Sequence, residues 1–264
     1  MRILITNDDG ISAPGLAVLH DIATAVAGDD GEVWTVAPAF EQSGVGHCIN
    51  YVKPSMISQL GPRRFALEGA PADCVLAGLG DLVDGPVDLV LSGVNRGNNA
   101  GENTVYSGTI GAAMEAALQG IRGIALSQFY GPDNVHLDNP FEAAAEHGAD
   151  CVRRLWADAP WGGDAYKLFY NVNFPPCPAQ RVRGLAAVAQ GYRGDGRMSV
   201  APQTAPSGRK YLWIKGSAQA EATQPGTDVK ANMDGWVSVT PMRCDLTDAA
   251  ALDDLRTAFP KYSD

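Results

Sequence analysis

The chain has 264 residues, 45 % of them hydrophobic, which suits one large domain or a domain with an appendage and excludes wholesale disorder. Its formal net charge of −10 excludes a reader of the nucleic-acid backbone, so no nucleic-acid polymer is expected as a partner. A phosphorylated small molecule stays open, because a cation or backbone amides can neutralise it locally.

Arg2–Thr6 reads as a short apolar strand, stopped by the turn formers Asn7-Asp8-Asp9-Gly10. Pro14 suits a helix start, with Leu16, Leu19, His20, Ala23 and Val26 recurring on one face. A second strand covers 32–37, and after an irregular stretch a third covers 63–67, followed by a short helix over 72–79. Residues 87–92 form a compact apolar strand that runs into the Gly/Asn-rich segment 93–103. A helix is expected over 107–119 with Gly120 as its C-cap, then a strand over 121–128 and an amphipathic helix over 140–156. This alternation predicts an α/β fold with a doubly wound, mostly parallel sheet, whose ligands bind at the carboxyl ends of the strands.

The character changes after about Pro175, where Gly, Pro, Gln, Ser and Arg dominate. The expected organisation is a core over 1–175 and a smaller β-rich extension over 176–264. The extension would carry exposed arms (a strand at 211–214), a strand at 236–241 returning to the core and a C-terminal helix at 248–259. A long surface excursion is the plain alternative for its first part.

Three loops, each following an expected strand at one sheet edge, carry the chemistry. Asp8 and Asp9 lie just past a strand end, where the turning chain lets both carboxylates converge; a hard divalent ion would offset their repulsion. By itself this loop reads first as a solvated polar turn. The second loop offers the hydroxyl of Ser43, with Gly44 allowing close backbone approach. The third, from Ser92 to Gly101, is dense in Asn and Gly, which favour exposed amides suited to an anion. It leads to Ser107-Gly108-Thr109 at a helix start, where free N–H groups and the helix dipole favour phosphate. Ordinary N-capping by Ser107 or Thr109 is the competing reading.

Other chemistries lack their signatures. G-x-x-x-x-G-K-[ST], G-x-G-x-x-G after the first strand and G-x-S-x-G are all missing. His20, His47, His136 and His147 lack zinc-hydrolase spacing, and His47, alone near a candidate loop, reads as structural. Cys48, Cys74, Cys151, Cys177 and Cys244 are widely spaced with no C-x-x-C pair, as expected of reduced thiols. With no basic leader and no apolar run near the ~20 residues that span a bilayer, a cytoplasmic protein without a membrane partner is expected.

The motifs MRILITNDDGISAPGL, QSG, SGVNRGNN, YSGTIGAAMEA and GWVSVTP, in this order over residues 1 to about 245, closely resemble the survival-protein E family of 5′/3′-nucleotidases. The resemblance is thinnest between about 128 and 225. It implies a Rossmann-like core, a C-terminal region engaged in subunit exchange, and homodimers or homotetramers. It implies metal-dependent dephosphorylation of nucleoside 5′- or 3′-monophosphates, with exopolyphosphatase activity in some members. Position by position, it makes Asp8, Asp9, Ser43 and Asn95 ligands of one divalent ion per subunit (Mg²⁺ or Mn²⁺). It puts Asn98, Ser107, Gly108 and Thr109 in the phosphate-binding region, with Asp8 and Asp9 as the catalytic carboxylates.

Two departures stand out. Glu102-Asn103-Thr104 replaces a more acidic run, and Phe40-Glu41 precedes Gln42 where a basic residue is common. Neither is expected to touch a proposed ligand. Two rival readings are a non-catalytic nucleotide or phosphate binder on the same fold and a sugar deacetylase. The paired carboxylates argue against a pure anion binder, and the lack of histidines in the first and third loops argues against a deacetylase.

Overall fold

The computed structural model describes residues 1–163, 166–194, 198–216, 218–221 and 223–259. Arg2–Thr6 forms β1, buried from Ile3 onward because helices cover both faces of the sheet, which is why it reads as a continuous apolar run. The helix α1 (Pro14–Ala27) starts at Pro14 and turns Leu16, Leu19, Ile22 and Ala23 into the core. His20, assigned to that face from the sequence, is exposed, and Ile22 takes its place.

β2 (Glu32–Pro38) is followed by an antiparallel pair, β3 (Ile57–Gly61) and β4 (Arg64–Leu67), and by α2 (Pro71–Ala77). β3 lies in the stretch read as irregular: it is an edge strand with most side chains exposed, so it carries no apolar signature. β5 (Leu89–Arg96) runs past the expected end at 92 into the Gly/Asn segment, because β6 (Arg122–Gln128) continues to pair with it. The register shifts between Ser92 and Asn95, an irregularity that re-aims the last residues of β5 at the sheet edge.

The chain continues through α3 (Gly108–Leu118), α4 (Glu142–Asp158), β7 (Phe169–Phe174) and β8 (Leu185–Ala187). The hairpin β9 (Ser199–Thr204) and β10 (Lys210–Lys215), then α5 (Asp228–Met233), β11 (Val237–Met242) and α6 (Ala249–Ala258), complete it.

Among the described residues the main sheet has nine strands in the order β3-β4-β2-β1-β5-β6-β7-β11-β8. From β4 to β7 all neighbours are parallel, while β3 runs against β4 and β11 runs against β7 but parallel to β8. Helices α1 and α4 cover one face over Ile3, Ile5, Leu89 and Leu91; α2 and α3 cover the other over Leu4, Val36 and Val90. β8 and β11 add to the main sheet, and among the described residues the hairpin β9–β10 pairs only with itself. The strand order reverses between β1 and β5, since β2 lies to one side of β1 and β5 to the other. A crevice opens at such a reversal, flanked by the loops that leave β1 and β5. Among the described residues no helix is long and apolar enough to cross a membrane.

Candidate active site

The three loops meet at that crevice and are tied together through their backbones. The amide of Gln42 donates to the Asp8 carbonyl at 2.7 Å, bringing the loop after β2 against the loop after β1. The amide of Arg96, at the end of β5, donates to Asp9 Oδ2 at 3.0 Å. The Asn7 side chain closes the turn on itself, donating to the Gly10 carbonyl at 2.9 Å and accepting its amide at 3.2 Å. Asp8 is buried and Asp9 half-buried, so they are not the freely solvated pair of a surface turn.

Asp8 lies at the start of α3. Thr109 donates its hydroxyl to Oδ1 at 2.7 Å and its amide to Oδ2 at 3.1 Å. Gly108 permits this approach, since a Cβ there would come within 2.9 Å of Asp8 Cβ and 3.0 Å of Pro71 Cγ. Burial pushes the Asp8 carboxyl up from the usual 3.8 to about 6, against the Thr109 hydrogen bonds and with the Asp9 charge adding to it. Burial also raises Asp9, although the amide and charge of Arg96 work the other way.

Whether these residues suit a cation can be judged from which atoms are engaged. Asn95 donates its Nδ2 to the Gly97 carbonyl at 2.9 Å, leaving Oδ1 as the free end of the amide. Ser43 donates its proton to Glu41 Oε1 at 2.8 Å, which leaves the lone pairs of its oxygen. With one oxygen of Asp9 and the desolvated carboxylate of Asp8, the set offers oxygens alone, the chemistry of a hard divalent ion. Among the described residues no three His, Cys, Asp or Glu side chains gather as a metal group; here the third and fourth donors are an amide and a hydroxyl.

Asp8, Ser43, Asn95, Asn98 and Ser107 line one cavity of about 210 Å³. Ser107 is the N-cap of α3, its Oγ accepting from the Ile110 amide at 3.1 Å while keeping its own proton to donate. The capping reading therefore holds for Ser107, and Thr109 gives both its donors to Asp8.

Several contributors are not legible in the motifs. Glu41 touches Ser43, contrary to the expectation that the Phe40-Glu41 departure stays clear of the ligands, and it also lies 3.6 Å from Arg96. Asn171 and Asn173, buried in β7, brace the third loop: Asn99 donates its amide to Asn173 Oδ1 at 2.7 Å, and Asn171 Nδ2 donates to the Asn99 carbonyl at 2.9 Å. The alternation of Asn in FYNVNF, polar residues on one face of an otherwise apolar strand, is the signal that could have found them. His47 pairs with Glu115 of α3 at 2.7 Å and so fastens the second loop to the body of the protein.

Fold and crevice together define a doubly wound α/β protein with an acidic, asparagine-rich site at its topological switch point. Residues 3–196 match the profile of the family described as Survival protein SurE. The chain is 65 % identical over 248 residues to the 5′-nucleotidase SurE of Roseobacter denitrificans, covering 94 % of this chain and 95 % of that one. It is 64 % identical over 263 residues to the 5′-nucleotidase SurE of Jannaschia sp., covering 98 % of this chain and 100 % of that one. The crystal structure of the SurE protein from Aquifex aeolicus superposes with a TM-score of 0.79 at 33 % identity, covering 98 % of this chain and 99 % of that one. The chain belongs to the survival protein SurE family.

Proposed function

We propose that the protein is a divalent-metal-dependent phosphomonoester hydrolase that releases phosphate from nucleoside monophosphates. The observation that carries this reading is the buried Asp8 carboxylate, held beside Asp9 at a helix start that suits phosphate. A charge so desolvated is unfavourable unless a cation joins it. Close relatives named 5′-nucleotidase support the substrate class.

In this reading Asp8, Asp9, Ser43 and Asn95 hold one Mg²⁺ or Mn²⁺ per subunit, and Asn98, Ser107 and Gly108 face the phosphate. When bound, the ion supplies Lewis-acid neutralisation of phosphoryl charge. Ser107 donates its hydroxyl proton to a phosphoryl oxygen, and the positive end of α3 stabilises the charge that shifts during transfer. Thr109 acts through Asp8, fixing both carboxylate oxygens. Asp8 and Asp9 orient the attack on phosphorus, by water or by one of the carboxylates; oxygen-18 appearing in an Asp would identify the second route. Polyphosphate ends present the same chemistry and would be a second substrate.

A homodimer or homotetramer fits the hairpin, where Val200, Leu212, Trp213 and Ile214 are all at least 59 % exposed. Five free cysteines fit a reducing cytoplasm. A phosphate-release screen of nucleoside 5′- and 3′-monophosphates and polyphosphate, with EDTA and with added Mg²⁺ or Mn²⁺, tests the reading. Release that EDTA abolishes is the expected result; no release from any substrate would leave a nucleotide-binding protein instead.

A further inference from the structure

Arg193 lies outside the three loops, in the C-terminal part of the chain, yet its side chain is 0 % exposed and reaches the third loop. Nη2 donates to Asn98 Oδ1 at 3.0 Å, and Nη1 donates to the Ala100 carbonyl at 3.2 Å and to Glu102 Oε2 at 2.9 Å. Burying a guanidinium is unfavourable unless it is paired, and Glu102 with these oxygens supplies the pairing. Gly101 makes room for it: its φ is +59°, and a Cβ there would come within 2.9 Å of Arg193 Nη1.

The consequence is which end of the Asn98 amide faces the cavity. Oδ1 accepts from Arg193 and, at 3.3 Å each, from the Ala100 amide and from Asn103 Nδ2, which also donates to the Asn98 carbonyl at 3.1 Å, so Asn98 Nδ2 is turned outward. Asn98 Nδ2 donates to Gln219 Oε1 at 3.1 Å, and Asn103 Nδ2 donates to the same oxygen. Two N–H donors thus converge on one acceptor, and both asparagines line the cavity that Asp8 and Ser107 also line. The acceptor is a neutral amide oxygen, and a phosphoryl oxygen would hold the same donors more strongly.

We propose that Asn98 and Asn103 form a two-donor seat for a phosphoryl oxygen, with Arg193 as the positioning residue that turns the Asn98 amide toward it. Gln219 fills this seat until phosphate displaces it. The inference rests on the reading of the cavity as the phosphate site.

The test measures calorimetric binding of inorganic phosphate to the full chain with saturating Mn²⁺, alongside steady-state hydrolysis of a nucleoside 5′-monophosphate. Asn103→Ala should weaken phosphate binding and raise KM about tenfold, the effect of one hydrogen bond to a charged group, with a smaller change in kcat. Gln219→Ala should tighten phosphate binding about threefold by removing a competing neutral hydrogen bond. Arg193→Lys should raise KM alone but add little in an Asn98→Ala background, which a merely structural role would not produce. Unchanged phosphate binding in Asn103→Ala, weaker binding in Gln219→Ala, or full additivity of Arg193→Lys with Asn98→Ala would overturn the proposal. Asn103 and Gln219 are only part-buried, so their variants keep the test open even where Arg193→Lys disturbs folding. Phosphate binding that depends on the seat without any hydrolysis would uphold this inference and sink the enzymatic reading.

Discussion

Replacing Asp8 by Asn should make the metal-free protein more stable, and by an amount that depends on pH. In the folded chain the Asp8 carboxyl is raised by burial from 3.8 to about 6. A group raised in this way leaves stability intact below about pH 4 and withdraws it as pH climbs through 6. A shift of about two units corresponds to about 3 kcal/mol at neutral pH, as an order of magnitude. Asn has nearly the same shape, carries no charge and keeps both contacts to Thr109. Its oxygen accepts the amide, and its Nδ2 donates to the hydroxyl. Urea unfolding in EDTA at several values between pH 4.5 and 8 should therefore show the variant close to wild type at the acid end and about 3 kcal/mol more stable above pH 7. Mn²⁺ at about one thousand times its Kd should reverse the order, because it adds about 4.1 kcal/mol to the wild type alone. A gap that does not grow with pH, or a variant less stable than wild type at pH 8, would refute the claim that Asp8 is held at a cost that a cation relieves.

Other consequences follow from the same contacts. Gly108→Ala should destabilise the fold by about 1–3 kcal/mol and lower turnover, since its Cβ would press on Asp8 and Pro71; chemical unfolding and phosphate-release rates check both. Asn95→Ala should raise the Mn²⁺ concentration needed for half-maximal activity while lowering stability in EDTA by only about 1 kcal/mol, the lost bond to Gly97, and an unchanged metal titration would remove it from the ligand set. Asp228 accepts the amides of Gly101, Gly191 and Val229 at 2.7–2.9 Å, so Asp228→Leu should cost several kcal/mol, roughly 1–3 for each buried donor left unpaired. Trp213→Asp on the exposed hairpin should shift the protein toward monomer in sedimentation experiments if that hairpin is the subunit contact.

The parts of the fold legible in the sequence are those where one local rule decides. The buried β1 and β2, the helix start at Pro14 and the N-cap at Ser107 all follow from short-range pattern and capping chemistry. What was not legible depends on partners far along the chain. β5 extends to Arg96 only because β6 pairs with it, and β3 exists only as an edge on β4. In the candidate site the same division holds. Asp8, Asp9 and Asn95 stand at strand ends, where alternation of strands and helices places ligands. Thr109 presents the same residue type whether it faces phosphate or Asp8, and only the geometry of α3 decides. Arg193 and Gln219 come from a region with no helical or strand period to read, so their place at the third loop needed the tertiary structure.

The most direct test of the central claim is an anomalous difference map from crystals soaked in Mn²⁺ with inorganic phosphate. One strong peak per subunit is expected, about 2.0–2.4 Å from oxygens of Asp8, Asp9, Asn95 and Ser43, with phosphate beside it toward Ser107. A map with no peak among these four residues, or with the ion bound elsewhere and the Asp8 carboxylate left alone, would contradict it.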